Sequence, residues 1–285
     1  MDKTYLEKLL SPILFKIGDF HLSYYGLIYG LAILVVYLLA SKGLKSRELD
    51  LNEDDLLNMM ILTFLGAVVG ARAYYVLLNW DYYSSTKIPW FEFALFWHGG
   101  LGLHGGLIGG ALSLWLLCKF QALPFIKITD LFAPLLLLGQ GIGRVGNFIN
   151  GESYGTPTSL PWGVVFQYGP AARNYPGLAL HPVMLYEALA DLFGFLLLYW
   201  WSGKKQNPGF ASAVYLIIYG LIRFCLSFLR VDELQFMGVK AAAILSILMI
   251  CVATALIIWF GLYREERVLK KKEEQQFLPK RQWKL

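Results

Sequence analysis

Residues 241–262 read AAAILSILMICVATALIIWFGL, 22 residues without a single Asp, Glu, Lys, Arg or His. Coiled as a helix, about 20 such residues cross the ~30 Å hydrocarbon layer of a bilayer. The stretch therefore reads as a membrane span. Working outward toward the N-terminus, the same apolar pattern recurs six times. The expected limits are His21–Ser41, Asp55–Leu77, Trp97–Cys118, Ile128–Ile149, Pro182–Trp201 and Ala211–Leu229, seven spans with Ala241–Leu262. Charged residues make up 16% of the 285, against about 25% in a soluble domain, and they gather in short runs between the spans. The sequence thus predicts an all-α integral membrane protein with seven transmembrane helices. One membrane domain is expected over residues 1–262 and a basic cytoplasmic tail over 263–285. No internal repeat or soluble domain is visible. The longest non-apolar segment, Asn150–His181, is rich in Gly, Pro, Ser and Tyr and predicts an ordered loop region outside the membrane.

Orientation follows from Lys and Arg. The connection after the first span holds Lys42, Lys45 and Arg47, that after the third Lys119 and Lys127, and that after the fifth Lys204 and Lys205. Between the second and third spans only Lys87 appears. The positive-inside rule then places the C-terminus in the cytoplasm, the N-terminus outside, and the 150–181 loop region outside. The net charge of +5 lies in these connections and in the tail from Arg264 to Lys284, which suits topology and anionic lipid rather than nucleic acid. The first 20 residues lack the apolar core and small-residue cleavage site of a signal peptide.

Several chemistries lack their sequence marks. Cys118, Cys225 and Cys251 are odd in number, without CxxC spacing, and sit in or beside apolar stretches, so they read as packing residues. His98 and His104 are six apart and do not share a helix face, so no metal site is expected. The sequence contains no GxSxG elbow, HExxH pair, Walker A loop or dinucleotide fingerprint.

Ionisable residues inside a span are expensive and mark a functional site by default. Arg72, His98, His104, Arg144, Glu187 and Arg223 lie in or next to the spans. With the orientation above, the outer halves of six spans each bring a polar group to one depth: Tyr25, Arg72, His104, Arg144 with Asn147, Glu187 and Arg223. Helical spacing agrees. Gln140, Arg144 and Asn147 share a face, as do Tyr215, Tyr219, Arg223, Ser227 and Arg230, and Tyr25 stacks on Tyr29. Gly102, Gly106 and Gly110 repeat every fourth residue, with Gly105 and Gly109 beside them, a pattern that lets helices approach closely. His104 falls away from the Gly102 seam and is expected to point into a cavity. Taken singly, Arg144 also fits snorkelling to the interface, Arg223 an ion pair with Glu187, Tyr25 and Tyr29 an aromatic belt, and His104 a hydrogen-bonded structural histidine. Together, arginines at headgroup depth suit a phospholipid phosphate, and a neutral histidine beside them suits general-base work. Cofactor-free transfer on a lipid is the chemistry this layer favours.

The segment Gly143-Arg144-Val145-Gly146-Asn147-Phe148-Ile149-Asn150-Gly151-Glu152-Ser153-Tyr154-Gly155 resembles the signature of the phosphatidylglycerol–prolipoprotein diacylglyceryl transferase family. Also similar to that family are Tyr25-Gly26, Gly70-Ala71-Arg72 with Tyr75, His104-Gly105-Gly106-Leu107-Ile108-Gly109, His181-Pro182 with Leu185-Tyr186-Glu187, and Arg223 with Arg230. The resemblance covers Tyr25 to about Ile250. It implies a bacterial inner-membrane enzyme with its site toward the outer leaflet. Its reaction moves the diacylglyceryl group of phosphatidylglycerol to the lipobox cysteine thiol of a prolipoprotein signal peptide. A thioether forms and glycerol phosphate leaves, with no cofactor and no metal.

By matched position the resemblance implies catalytic roles for three residues. Arg144 would hold the phosphate, Arg223 would neutralise charge on the leaving phosphate, and His104 would be the base for the thiol. Two routes to the thiolate stay open, because a cluster of arginines also lowers a thiol pKa. Tyr25, Arg72, Asn147, Asn150, Glu152, Gly155, Glu187 and Arg230 are the implied substrate-binding residues. One position departs from the pattern: Ser227 stands where family members often carry an acid four residues after Arg223. The competing expectation is a relative that binds or transports lipid without transferase activity, for which an inverted repeat and a midplane site would speak.

Overall fold

The computed structural model describes residues 13–17, 20–46, 49, 51–84, 89–96, 99–202, 207–231, 235–236 and 239–262. Among them are seven helices long and apolar enough to cross a membrane. We number them α1 Tyr24–Ser46, α2 Glu53–Leu78, α3 Leu103–Phe120, α4 Phe125–Asn150, α5 Val183–Ser202, α6 Phe210–Ser227 and α7 Ala241–Phe260. Two small antiparallel pairs accompany them, Ile13–Ile17 with Phe20–Ser23 and Gln235–Phe236 with Val239–Lys240. The expected basic tail over 263–285 falls outside the described residues, as do His98, Arg47 and Lys87.

Local chemistry sets the ends of the helices. The first span was expected from His21, but the chain stays extended to Ser23, whose Oγ accepts the Gly26 N–H at 3.2 Å, the bond of an N-terminal cap. α2 begins after Asn52, whose Oδ1 accepts the Asp55 N–H at 2.7 Å, and its first turn carries Glu53, Asp54 and Asp55, which complements the helix dipole. The third span was expected from Trp97. It starts at Leu103 instead, after Gly99 and Gly100 at φ +88° and +77°, a left-handed stretch that no helix can include. His104 therefore lies in the first turn of α3, not two turns along it. α7 stops where Gly261, at φ +59°, returns its N–H to the Ile257 and Ile258 carbonyls.

The chain forms two compact units, Ser41–Ile128 and Met1–Ala40 with Thr129–Leu285. In the first, α2 packs on α3 along a glycine seam. A Cβ on Gly70 would stand 2.4 Å from the Gly105 carbonyl oxygen, and one on Gly109 would stand 2.4 Å from the Gly66 oxygen. The helix backbones therefore touch, which only glycine permits. The glycines of α3 pack against α2, as their spacing suggested: the closest backbone approach runs through Gly105 and Gly109, a Cβ on Gly102 would stand 2.6 Å from the Tyr74 ring, and Cβ atoms on Gly106 and Gly110 would stand 3.5 and 3.3 Å from Ala67.

In the second unit α6 packs against α5 and α7. Asp130, buried near the start of α4, binds the beginning of α6: its Oδ2 accepts the Gly209 N–H at 2.6 Å and its Oδ1 the Ser212 N–H at 2.8 Å. A carboxylate from one helix thus satisfies amides that the first turn of another leaves unpaired. The segment between α4 and α5 carries a short helix Gly169–Asn174, and Tyr154, Ala171 and Leu180 form a small core with Met184 of α5.

Candidate active site

Three helices of the larger unit bring their polar faces together around Glu187. This residue lies one turn into α5 and is fully buried. From α4, Arg144 donates through Nη2 to Glu187 Oε1 at 2.7 Å. From α6, Arg223 Nη1 lies 3.9 Å from the same oxygen. Arg230, just beyond α6, reaches Glu187 Oε2 at 3.5 Å. One carboxylate thus gathers three guanidinium groups in a buried setting where a lone charge would be costly. The helical spacing that joined Arg144 with Asn147 and Arg223 with Arg230 is what lets two faces converge on one acid.

A second layer fixes the arginine. Arg144 Nη1 donates to Asn147 Oδ1 at 3.1 Å, and Asn147 Nδ2 donates to Glu152 Oε2 at 3.1 Å. Asn150 Nδ2 reaches the other Glu152 oxygen at 3.4 Å, and the Glu152 N–H donates to the Asn147 carbonyl at 2.9 Å. The side chains of Arg144, Asn147, Asn150 and Glu152 therefore form one hydrogen-bonded relay at the end of α4. Tyr25 donates to Tyr29 at 3.2 Å, the rings 4.6 Å apart. They lie on the face of α4 that has no side chains: a Cβ on Gly146 would meet Tyr25, and one on Gly143 would meet Tyr29, each at 3.2 Å. Within Arg144 only Nε has no hydrogen-bond partner among the described residues. That leaves one strong donor of a phosphate-binding group for an incoming oxygen.

Gly155 sits where the loop closes on the end of α6. It pairs with Arg230 as an antiparallel bridge, its N–H donates to the His181 carbonyl at 3.0 Å, and the Thr156 N–H donates to Leu229. A Cβ there would come within 2.5 Å of Val183 and 2.7 Å of the His181 side chain. The loop backbone at Gly155 is thereby joined to the chain at Arg230. Ser227 is fully buried, its Oγ donates to the Phe224 carbonyl at 2.8 Å, and Lys240 Nζ caps the Ser227 and Arg230 carbonyls. Position 227 carries no acid, and Glu187 from α5 places a carboxylate beside Arg223.

Asp191 escaped the sequence reading. It is fully buried one turn beyond Glu187 on the same face of α5, and the charges that act on it are those of Glu187, Arg144 and Arg223. Its i, i+4 spacing from Glu187 was the available signal.

The other unit holds Arg72 and His104. Arg72 is buried, and its guanidinium is committed to backbone carbonyls. Nε donates to Phe93 at 2.8 Å, Nη2 to Glu92 at 2.8 Å, and Nη1 to Gly99 and Gly100. The rings of Tyr75 and Tyr83 lie 5.9 and 5.4 Å from its Cζ. An open pocket of about 290 Å³ lies here, bounded by Arg72, Tyr75, Asn79, Tyr82, Tyr83, Glu92, Gly99 and Gly100. His104 is exposed, with its ring 5.9 Å from that of Tyr74.

The sequence model of the prolipoprotein diacylglyceryl transferase family matches residues 12–259. A relative in Fervidobacterium nodosum, named phosphatidylglycerol–prolipoprotein diacylglyceryl transferase, is 40% identical over 259 residues, covering 89% of this chain and 85% of its own. Relatives of the same name in Finegoldia magna and Bordetella avium are 36% and 40% identical. Those matches cover 85% and 81% of this chain, and 92% and 85% of the relatives.

Proposed function

This chain belongs to the prolipoprotein diacylglyceryl transferase family, and on that premise we propose that it moves the diacylglyceryl group of phosphatidylglycerol to the thiol of a lipobox cysteine in a prolipoprotein signal peptide. The observation that carries this reading is the set of Arg144, Arg223 and Arg230 around the buried Glu187. It offers planar cationic donors inside an apolar helix bundle, as a lipid phosphate requires.

The chemistry balances without a cofactor. The thiolate sulfur attacks the glyceryl carbon that carries the phosphate ester. The S–C bond forms, the C–O bond breaks, and glycerol phosphate leaves with the electron pair. The thiol proton goes to a base, for which His104 is the candidate. Arg144 takes a phosphate oxygen through Nε and holds the lipid in place. Arg223 faces the oxygen on which charge grows as the bond breaks, the point where fixed charge lowers a barrier most. Asn147, Asn150 and Glu152 hold the Arg144 guanidinium in position, and Tyr25 lines the same face of α4. For Arg72 and Gly155 we propose positioning roles in place of direct lipid contact, since Arg72 is committed to carbonyls and Gly155 to the loop closure.

The distribution of Lys and Arg supports an N-terminus outside the cell, a cytoplasmic C-terminus and a site toward the outer leaflet of the bacterial inner membrane. The test is a transfer assay with purified protein, phosphatidylglycerol and a lipobox peptide. We expect the peptide to gain the mass of one diacylglyceryl group, and the Cys→Ser peptide to gain nothing. A folded protein that leaves the cysteine peptide unchanged would refute the transferase.

A further inference from the structure

One helical turn from the arginine–Glu187 layer, the same three faces form a second tier of different character. Gln140 lies one turn from Arg144, Asp191 one turn from Glu187, and Tyr219 one turn from Arg223, each step about 5.4 Å along its helix. The tier is closed by contact between the helices. A Cβ on Gly141 would lie 3.4 Å from Asp191 Cβ, and Gln140 Nε2 donates to Tyr215 Oη at 3.0 Å. The Tyr215 and Tyr219 rings stack 6.0 Å apart at 8°. What sets the tier apart is its surplus of acceptors. Asp191 is fully buried, and neither of its oxygens has a hydrogen-bond partner among the described residues. The same is true of the buried Gln140 Oε1. Three inward acceptors in one turn of a bundle call for donors, because buried polar groups in folded proteins are nearly always paired.

The surroundings narrow the chemistry of the donor. Glu187, Arg144 and Arg223 all act on Asp191, two carboxylates among two guanidinium groups, so charge here is already matched and a lipid ammonium adds an unmatched positive charge. A neutral hydroxyl does not. A phosphate at Arg144 would carry its alcohol substituent a few bonds further, the reach of one helical turn. Building on the transferase reading, we propose that Gln140 and Asp191 accept hydrogen bonds from the hydroxyls of the headgroup glycerol. Asp191 is then a specificity-determining residue for a polyhydric phosphodiester lipid.

The experiment compares phosphatidylglycerol with phosphatidylethanol, which has the same phosphodiester and acyl chains but no headgroup hydroxyl, as donors to a lipobox peptide. A site built to bind a hydroxyl rejects the analogue that lacks it. The wild-type protein is therefore expected to favour phosphatidylglycerol by more than about tenfold in kcat/KM. Asp191→Ala should lower kcat/KM for phosphatidylglycerol at least about tenfold more than for phosphatidylethanol, and Asp191→Asn, which keeps an acceptor, should recover part of the difference. Equal use of the two lipids by wild type overturns the subsite whatever the variants do. A loss of equal size on both lipids in Asp191→Ala overturns it as well, showing a residue that only supports the fold. Both results leave the transferase standing. Failure to transfer from either lipid in folded wild-type protein refutes the transferase, and the subsite with it.

Discussion

Arg72 and Arg144 are both arginines inside helices that span the membrane, and they use their guanidinium groups in opposite ways. Arg72 gives Nε, Nη1 and Nη2 to the carbonyls of Glu92, Phe93, Gly99 and Gly100. Arg144 gives its terminal nitrogens to two side chains, Glu187 and Asn147, and keeps Nε without a partner among the described residues. Backbone carbonyls move only if the loop moves, so the contacts of Arg72 are those of a clamp. A carboxylate and an amide can turn about their own side-chain bonds and yield a donor to an anion. The difference teaches that a buried arginine is read by its acceptors, not by its depth.

The largest test of this contrast is substitution of Arg144. Arg144→Lys keeps the charge but loses the planar fork. It should lower kcat/KM for transfer by about 10²–10³-fold, the scale for losing one donor aimed at developing charge, while the purified protein stays folded. Transfer within a few-fold of wild type would remove the phosphate role of Arg144. Arg72→Gln should do the reverse. It leaves carbonyls of the loop before α3 without their donor, so folding stability should fall by on the order of 3 kcal/mol, read as a lower unfolding midpoint in detergent. Unchanged stability with lost lipid binding would make Arg72 a phosphate ligand instead of a clamp.

His104 sharpens the contrast from the side of the loop that Arg72 holds, since Gly99 and Gly100 precede the turn on which it stands. His104→Gln should depress transfer by about 10²-fold near pH 7, the lower range for loss of a general base. The deficit should shrink as the pH approaches about 8.5, where a free cysteine thiol ionises unaided. A deficit of the same size at every pH would assign the thiol proton to another group and leave His104 with a packing role.

The seven helices were legible because a span of apolar residues is a property of composition, local in the chain. The Arg144 and Arg223 faces were legible because 3.6-residue spacing is local too. What the sequence hid were facts that need two helices at once. Asp191 shares a face of α5 with Glu187, but only the packing of α4, with Gly141 opposite it, shows that this face is buried among polar groups. Arg72 matched the other arginines in depth, and nothing in the residues next to it marks the carbonyls 20 to 28 positions away that occupy it. The start of α3 was misplaced by six residues because the run through Trp97 is apolar, while the positive φ of Gly99 and Gly100 is a property of the backbone. The pairing of Arg223 with Glu187, by contrast, was among the readings the sequence offered, and the structure places the two 3.9 Å apart.

Asp130 carries the contrast to its smallest effect, now between two buried acids. Glu187 faces guanidinium groups, whereas Asp130 faces the amides of Gly209 and Ser212 and the Ser212 hydroxyl at 2.7 Å. By the same rule Asp130 is structural: its acceptors are used on the backbone of α6, and it has no reason to exchange partners during a reaction. Removing a capping side chain costs about 0.5–2 kcal/mol, and Asp130→Ala should fall in that range when unfolding is followed by loss of helical signal in detergent. Asp130→Asn keeps an acceptor and should recover part of it. Transfer per folded molecule should drop far less than in Arg144→Lys, because α6 is loosened at the end remote from Arg223, more than ten residues along the helix. If Asp130→Ala instead stopped transfer at full stability, the backbone rule would fail for acids. Asp130 would then belong with Glu187 as a group that trades partners in the reaction.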